Sequence, residues 1–307
     1  MQKPSPILLR NLLFSLLFIS FALQMIMSYF ARIEVKEDFA PYKANKNTTI
    51  FAAYSSDGTV SDYVISYLKA LKEISPNIIY LTDNPIRRKD IDKISPYITR
   101  LEAVRHGEYD WGSYKRGYNW LKDNNLLLKT NKLIFANDSS LLVATSLKPI
   151  IDKMPDDADF YGITANQDGT YHLQSYFLVF NSNVYTSDEF ARYLDKVKKE
   201  KDGLTVAYRY EVPLTSFLEN LGFKSATYIP YEALSDLPLN DKNCYPLTML
   251  SKYHTPLLKL RTFTERLDVQ EPRRLVFKYL KDSNSKAYKE LIAHLKHIKS
   301  PYLKDNR

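Results

Sequence analysis

Asn137, Asp138 and Ser139 place an amide, a carboxylate and a hydroxyl side by side, directly after the apolar residues 133–136. Oxygen donors of these types suit a hard divalent cation and, through it, a diphosphate. The same residue types also cap helices where no ligand is involved. The apolar run reads as a buried parallel strand, and open α/β sheets bind ligands outside the carboxyl ends of their strands. Asp138 is therefore the candidate metal ligand. Around it stand other groups with usable chemistry. Glu211 precedes a Pro at the start of an expected helix, where it is either a general base or simply an acid favoured by the helix dipole. Asp110 lies in a glycine-flanked loop, to touch a ligand or to hold that loop's backbone. Lys115 and Arg116 bring positive charge to the first turn of the helix expected over 113–121, where an anion is favoured.

These groups need elements to hold them. Strands are expected at 48–54, 77–83, 96–104, around 131–137, at 159–166 and at 172–181, with the last two paired as a hairpin across the turn 167–169. Helical spacing of Val60, Val64, Tyr67, Leu68, Leu71 and Ile74 lies between the first two. A strand, a helix and a strand of this length form a βαβ unit, the builder of parallel sheets. Further helices are expected over 186–199, opened by Thr or Ser and an acidic turn, and from Glu211 to the Gly at 222, followed by a strand. In the 172–181 strand, His172, Gln174 and Tyr176 alternate with Leu173, Ser175 and Phe177, giving one polar face fit for sugar hydroxyls. Trp111 offers a ring for stacking on a base or sugar, or a core anchor.

The bulk figures bound the rest. A chain of 307 residues with 45% hydrophobic content holds one large α/β domain or two small ones, and is not disordered. The charge of +8 suits anionic lipid or a phosphorylated substrate; its cations are dispersed among 35 acids, which argues against nucleic acid. A single cysteine excludes an internal disulfide and a cysteine-rich zinc site. Residues 11–31 carry no charge and match the length of a membrane span. The expected organisation is a tail at 1–10, a transmembrane or membrane-anchoring helix at 11–31, a linker at 32–47, a catalytic domain at 48–262 and a basic helical extension at 263–307. Loop charges lean weakly toward a cytoplasmic domain.

The pieces SDYVISYLKAL (61–71), HGEYDWGSYKRG (106–117), FANDSS (135–140), HLQSYFLVF (172–180), YEVPLTSFLENLGFKSATYIP (210–230) and PLLK (256–259) together resemble the rhamnan synthesis protein F family of bacterial glycosyltransferases. They follow in the family's order over roughly 49–261. The resemblance implies a GT-A-like, Rossmann-like fold: a mostly parallel sheet flanked by helices, here behind an N-terminal membrane helix. It also implies transfer of a sugar, rhamnose or another deoxyhexose, from a nucleoside diphosphate to a surface polysaccharide or its lipid-linked precursor. On that footing Glu211 is the base of an inverting reaction. Asp110, Ser113, Lys115, Arg116, Asn137, Asp138, Ser139 and Lys259 bind the donor, while Trp111, His172, Gln174 and Tyr176 hold sugar or acceptor. Mg²⁺ or Mn²⁺ on Asp138 is one way to neutralise the phosphates; Lys115, Arg116, Lys259 and Arg261 are the metal-free way. Ser140-Leu141 stands where the family's pattern leads us to expect a Gly-Pro-like turn. The alternatives are a non-catalytic glycan-binding or assembly subunit and a phosphate-transferring enzyme.

Overall fold

Strands buried on both faces over most of their length need a layer on each side, and the centre of this molecule is built from three of them. The computed structural model describes residues 6–264 and 269–306. Its main sheet has eight strands: β1 (Val35–Asp38), β2 (Lys46–Ala53), β3 (Asn77–Thr82), β4 (Arg100–Ala103), β5 (Thr130–Asn137), β6 (Phe160–Gly162), β7 (Phe177–Phe180) and β8 (Ser225–Thr227). They lie in the order β8-β6-β7-β5-β2-β3-β4-β1. Strands β5, β2, β3 and β4 run parallel, so the ends of all four release their loops on one edge.

The sheet is mixed: β8 also pairs parallel with β6, and β7 and β1 are the two strands that run against the rest. β7 runs antiparallel to both β5 and β6, and β1 antiparallel to β4. The cause is local: the turn after Ala165–Asn166, which pairs with His172–Leu173, is too short for a crossover and sends the chain straight back. This hairpin was legible in the sequence. The single strand expected over 172–181 is instead broken between Leu173 and Phe177. The segment expected as a linker, 32–47, supplies the edge strand β1.

Alternation along the strands divides the core into two layers. Phe51, Tyr80, Ile134, Ala136 and Val179 face one side with Tyr63, Tyr67, Leu68 and Leu71 of α2 (Asp62–Ile74). Ile50, Ala52, Ile79, Leu133, Phe135 and Leu178 face the other, with α3 (Tyr109–Asp123), α4 (Asp188–Asp195) and α5 (Val212–Asn220). Ser187 caps α4 by accepting from Phe190 N–H at 3.2 Å, as its sequence predicts. The C-terminal residues are more than a solvated tail. Helices α6 (Arg273–Ser283) and α7 (Ser285–His297) bury Val276, Phe277, Leu280, Leu291 and Leu295 in the α2 layer. Each such side chain is worth about 1.5–3 kcal/mol when fully buried.

The residues ahead of the sheet form one helix, α1 (Pro6–Phe30). Of the tail expected at 1–10, residues 1–5 lie outside the described ones. Among the described residues no helix is long and apolar enough to cross a membrane, so the structure does not carry the spanning helix expected at 11–31.

Helix α3 sits so close to β2 at Gly117 that a Cβ there would meet Ile50 Cγ2 at 2.5 Å. Gly117→Ala should cost about 1–3 kcal/mol through overpacking, read as a lower midpoint in thermal or urea unfolding. An unchanged midpoint would show that this contact relaxes freely.

Candidate functional site

The ends of β2, β3 and β5 and the loop after β4 surround a cavity of about 980 Å³ whose wall includes Tyr54, Asp83, Arg105, Asp110, Asp138 and Glu211. Asn137, Ser139, Ser175, Lys199, Lys201, Lys259 and Arg261 also line it. Asp138 leaves β5 with its backbone N–H on Ala52 O at 3.1 Å, and its Oδ2 accepts from Tyr54 N–H at 2.9 Å. Tyr63 O–H donates to its carbonyl at 2.8 Å. No helix follows: Ser140–Leu142 forms a short antiparallel ribbon with Leu257–Lys259, with Lys259 opposite Ser140. A residue 120 positions away in sequence is thereby delivered to the NDS element, and Lys259 Nζ donates to Ser139 Oγ at 2.9 Å. The ribbon also stands where a Gly-Pro-like turn was expected.

Asn137 ties this element to α3. Its Nδ2 donates to Asp110 Oδ2 and to Tyr114 Oη, both at 3.2 Å, while its Oδ1 accepts from Ser139 N–H and O–H. Helix α3 begins at Tyr109, earlier than the expected residue 113, and Tyr109 opens it with φ +58°, a left-handed conformation rare outside glycine. This early start moves Lys115 and Arg116 out of the first turn. Both pair with Glu108, at 2.8 and 3.3 Å, and neither lines the cavity. Ser113 is buried and faces His106 Nε2 at 3.1 Å. Because Glu108 N–H donates to His106 Nδ1, the ring proton sits on Nε2 and goes to Ser113. Burial, above all, lowers the His106 pKa.

Glu211 does not open a helix. Residues Gly203–Val206, a π-helical turn at Ala207–Glu211 and α5 run on continuously, and such π turns recur at functional sites. The turn sets Glu211 Oε1 to accept from Ser175 N–H at 2.9 Å, at the start of β7. The break before β7 also removes the polar face expected there. His172 bonds Thr170 O, and Gln174 accepts from Thr164 and Asn243. Tyr176 lies beneath the Lys259 ammonium, 4.8 Å from its ring centroid. None of the three lines the cavity. Trp111 does, although it is only 1% exposed and packs against Tyr114, Tyr193 and Tyr210.

Several wall residues escaped the sequence reading. Asp83 ends β3 as Asp138 ends β5, so the strand-end rule applied once more finds it. Its Oδ1 accepts from His106 N–H and Gly107 N–H at 2.6 and 2.7 Å, pinning the loop over the sheet. Arg105, Lys199 and Lys201 carry no local signal of their place.

Burial pushes the carboxyl pKa of Asp138 up to about 7 and that of Asp110 up to about 6, the latter helped by the Glu211 charge. Burial also lowers the Lys259 pKa. A divalent cation fits these donors poorly. Asp138 is the one carboxylate in its element, Asn137 and Ser139 are engaged with each other, and an ammonium already sits on Ser139. Among the described residues no three acidic, histidine or cysteine side chains come together for a metal.

The two raised aspartates titrate near 3.9 in the unfolded chain. Protonation therefore favours the fold: this stability is complete below about pH 4 and lost as pH rises through about 6 and 7. Asp138→Asn should then raise the melting temperature relative to wild type at about pH 8, with the gain shrinking toward about pH 5. Thermal scans of the pair across that range test it, and a difference independent of pH would refute the burial argument.

Two solved structures, one protein sequence and one family model show similarity to this chain. A cytidylyltransferase from Leptospira borgpetersenii is similar at a TM-score of 0.43 and 14% identity, over 85% of this chain and 98% of that one. Core-mannan synthase A from Aspergillus fumigatus, solved in an Mn/GDP form, is similar at 0.36 and 10%, over 64% of this chain and 75% of that one. In sequence, the uncharacterized protein y4gN of Sinorhizobium fredii is 24% identical over 250 residues, covering 75% of this chain and 63% of that protein. The chain thus spans less than two thirds of that relative's length. The model of one family, rhamnan synthesis protein F, matches residues 78–305, and this chain, with its strand-end carboxylates and the lysine brought to them, belongs to that family.

Proposed function

We propose that the protein is a glycosyltransferase that moves a sugar, rhamnose or another deoxyhexose, from a nucleoside diphosphate to a hydroxyl of a surface polysaccharide or its lipid-linked precursor. The observation that carries this reading is the charge layout of one cavity. Carboxylates from Asp110, Asp138 and Glu211 share its wall with the cations of Arg105, Lys199, Lys201, Lys259 and Arg261. Cations draw and hold a diphosphate, and a carboxylate among them takes a proton.

In the step proposed, the acceptor oxygen bonds to the anomeric carbon as the carbon–oxygen bond to the diphosphate breaks. The acceptor proton passes to Glu211, and the bonding pair leaves with the nucleoside diphosphate. Direct displacement inverts the anomeric centre. Glu211 suits the role because Ser175 N–H fixes Oε1 and no hydrogen bond from the described residues engages Oε2. Asp110, protonated to about pH 6, is the neutral partner that keeps a second negative charge from crowding it below that pH.

A second cavity of about 420 Å³ shares Tyr54 and Asp138 with the first and is walled by Asp57, Ser61, Asn84 and His297. It offers room and polar contacts for the nucleoside. The acceptor's membrane origin fits α1, which exposes Phe14, Phe18 and Met27 by 66%, 73% and 72%. We place the protein at the cytoplasmic face of a bacterial inner membrane on this basis and on the flanking cations.

Incubation with a panel of nucleoside diphosphate sugars and a glycan-lipid acceptor should release one nucleotide. Glu211→Gln should lower turnover by about 10²–10⁴-fold with donor binding retained. Normal turnover in that variant would end the base assignment, and absence of release with any donor would favour a binding subunit. The protein should also float with anionic liposomes, and Phe18→Asp should weaken that association; recovery of wild type in the soluble fraction would count against α1 as an anchor.

A further inference from the structure

We infer that the leaving diphosphate is neutralised here by the Lys259 ammonium, with the Arg261 guanidinium in the same wall, so that nucleoside diphosphate binding requires no divalent cation. The inference rests on the transferase reading above.

An ammonium carries three N–H donors. One goes to Ser139 Oγ at 2.9 Å, and the Tyr176 ring supports the charge from one side. Among the described residues Lys259 forms no salt bridge, and Glu211, Asp110 and Asp241 attract its charge only from farther off. A buried cation with no carboxylate in direct contact is stabilised further by an anion that comes to share the site. Among the described residues its other two donors meet no hydrogen-bond acceptor, which makes it an anion receptor. Its position is fixed by backbone, not by a flexible arm: Lys259 is in register with Ser140, and Leu260 N–H donates to Ser139 O at 2.9 Å.

The same contacts use up the oxygens a metal would need. Asn137 Oδ1 accepts twice from Ser139, and Ser139 Oγ gives its proton to Asn137 while accepting from Lys259. Asp138 Oδ2 accepts from Tyr54 N–H. Within this element that leaves Asp138 Oδ1 as the carboxylate oxygen without a hydrogen bond, a sparse start for an ion that wants about six oxygen ligands. The ion would also have to settle beside a fixed positive charge. Arg105, Lys199 and Lys201 add the same sign to the cavity wall, where they offset the acids that share it.

The test is calorimetric binding of UDP, GDP and dTDP to the full chain, each in EDTA and in Mn²⁺ or Mg²⁺. The Kd of the preferred nucleotide should agree within about twofold between conditions. Lys259→Met should weaken it by about tenfold or more, the worth of a charge-assisted hydrogen bond. Lys259→Arg should recover most of the loss, and binding of the unphosphorylated nucleoside should not change. Binding lost in EDTA and restored by the cation would overturn the inference while leaving the transferase reading intact. So would a well-folded Lys259→Met that binds diphosphate like wild type. The EDTA comparison on wild type decides the matter even if the variant does not fold. If no nucleoside diphosphate binds in either condition, both the inference and the reading it rests on fall.

Discussion

The pairing of Lys259 with Ser140 is the constraint on which the site depends. It joins the segment after the central strand to one more than a hundred residues later, and sets an ammonium among three carboxylates. Without that charge Asp110 and Asp138 would be harder still to ionise, since Lys259 lowers the pKa of each. With it, the cavity holds negative groups on its wall without repelling an anionic ligand from its mouth. Sheet topology and electrostatics are therefore one problem: four parallel strands release their loops on a single edge, and the ribbon brings the compensating charge to that edge.

The edge is also rigid where rigidity matters. Asp83 pins the loop at Gly107, Asn137 bridges the NDS element to α3, and the π turn aims Glu211 at the start of β7. Each ends on a carboxylate oxygen, and a hydrogen bond to a charged group contributes about 1.5–3 kcal/mol net. Their shared effect is to fix Asp83, Asp110 and Glu211 relative to one another, which the proposed displacement, with its defined line of attack, would demand.

Much of the framework was legible in the sequence because it rests on local patterns. Apolar runs at Ile50, Ile78 and Leu133 mark strands covered on both faces, the spacing of Tyr63, Tyr67 and Leu71 marks α2, and Ser187 marks a cap. The strand-end rule found Asn137 and Asp138 and should have found Asp83. What was missed depends on tertiary placement. Lys115 and Arg116 look like phosphate ligands until the helix start shifts and Glu108 claims them. His172 and Gln174 look like a polar face until the strand breaks before β7. Lys199 and Lys201 sit in a basic run like several others, and only the chain's return past the cavity gives them a role. Family resemblance supplied Lys259, while the ribbon that explains it has no signature in spacing.

The docking of α7 on α2 carries a consequence for how the molecule is made. Ser61, at the start of α2, meets His294 across 3.1 Å, and Leu291 and Leu295 complete the layer beneath the first βαβ unit. A nascent chain that has emerged only as far as β8 can pair its central strands and lay α2 on them, yet the side of α2 that α7 covers stays open to water. Contacts of such long sequence separation form late because the entropy of closing the loop must be met first. Synthesis at about 5–20 residues per second leaves that apolar face exposed for several seconds while the last helices are translated. The interval is a window for chaperone capture and for misassembly between neighbouring chains.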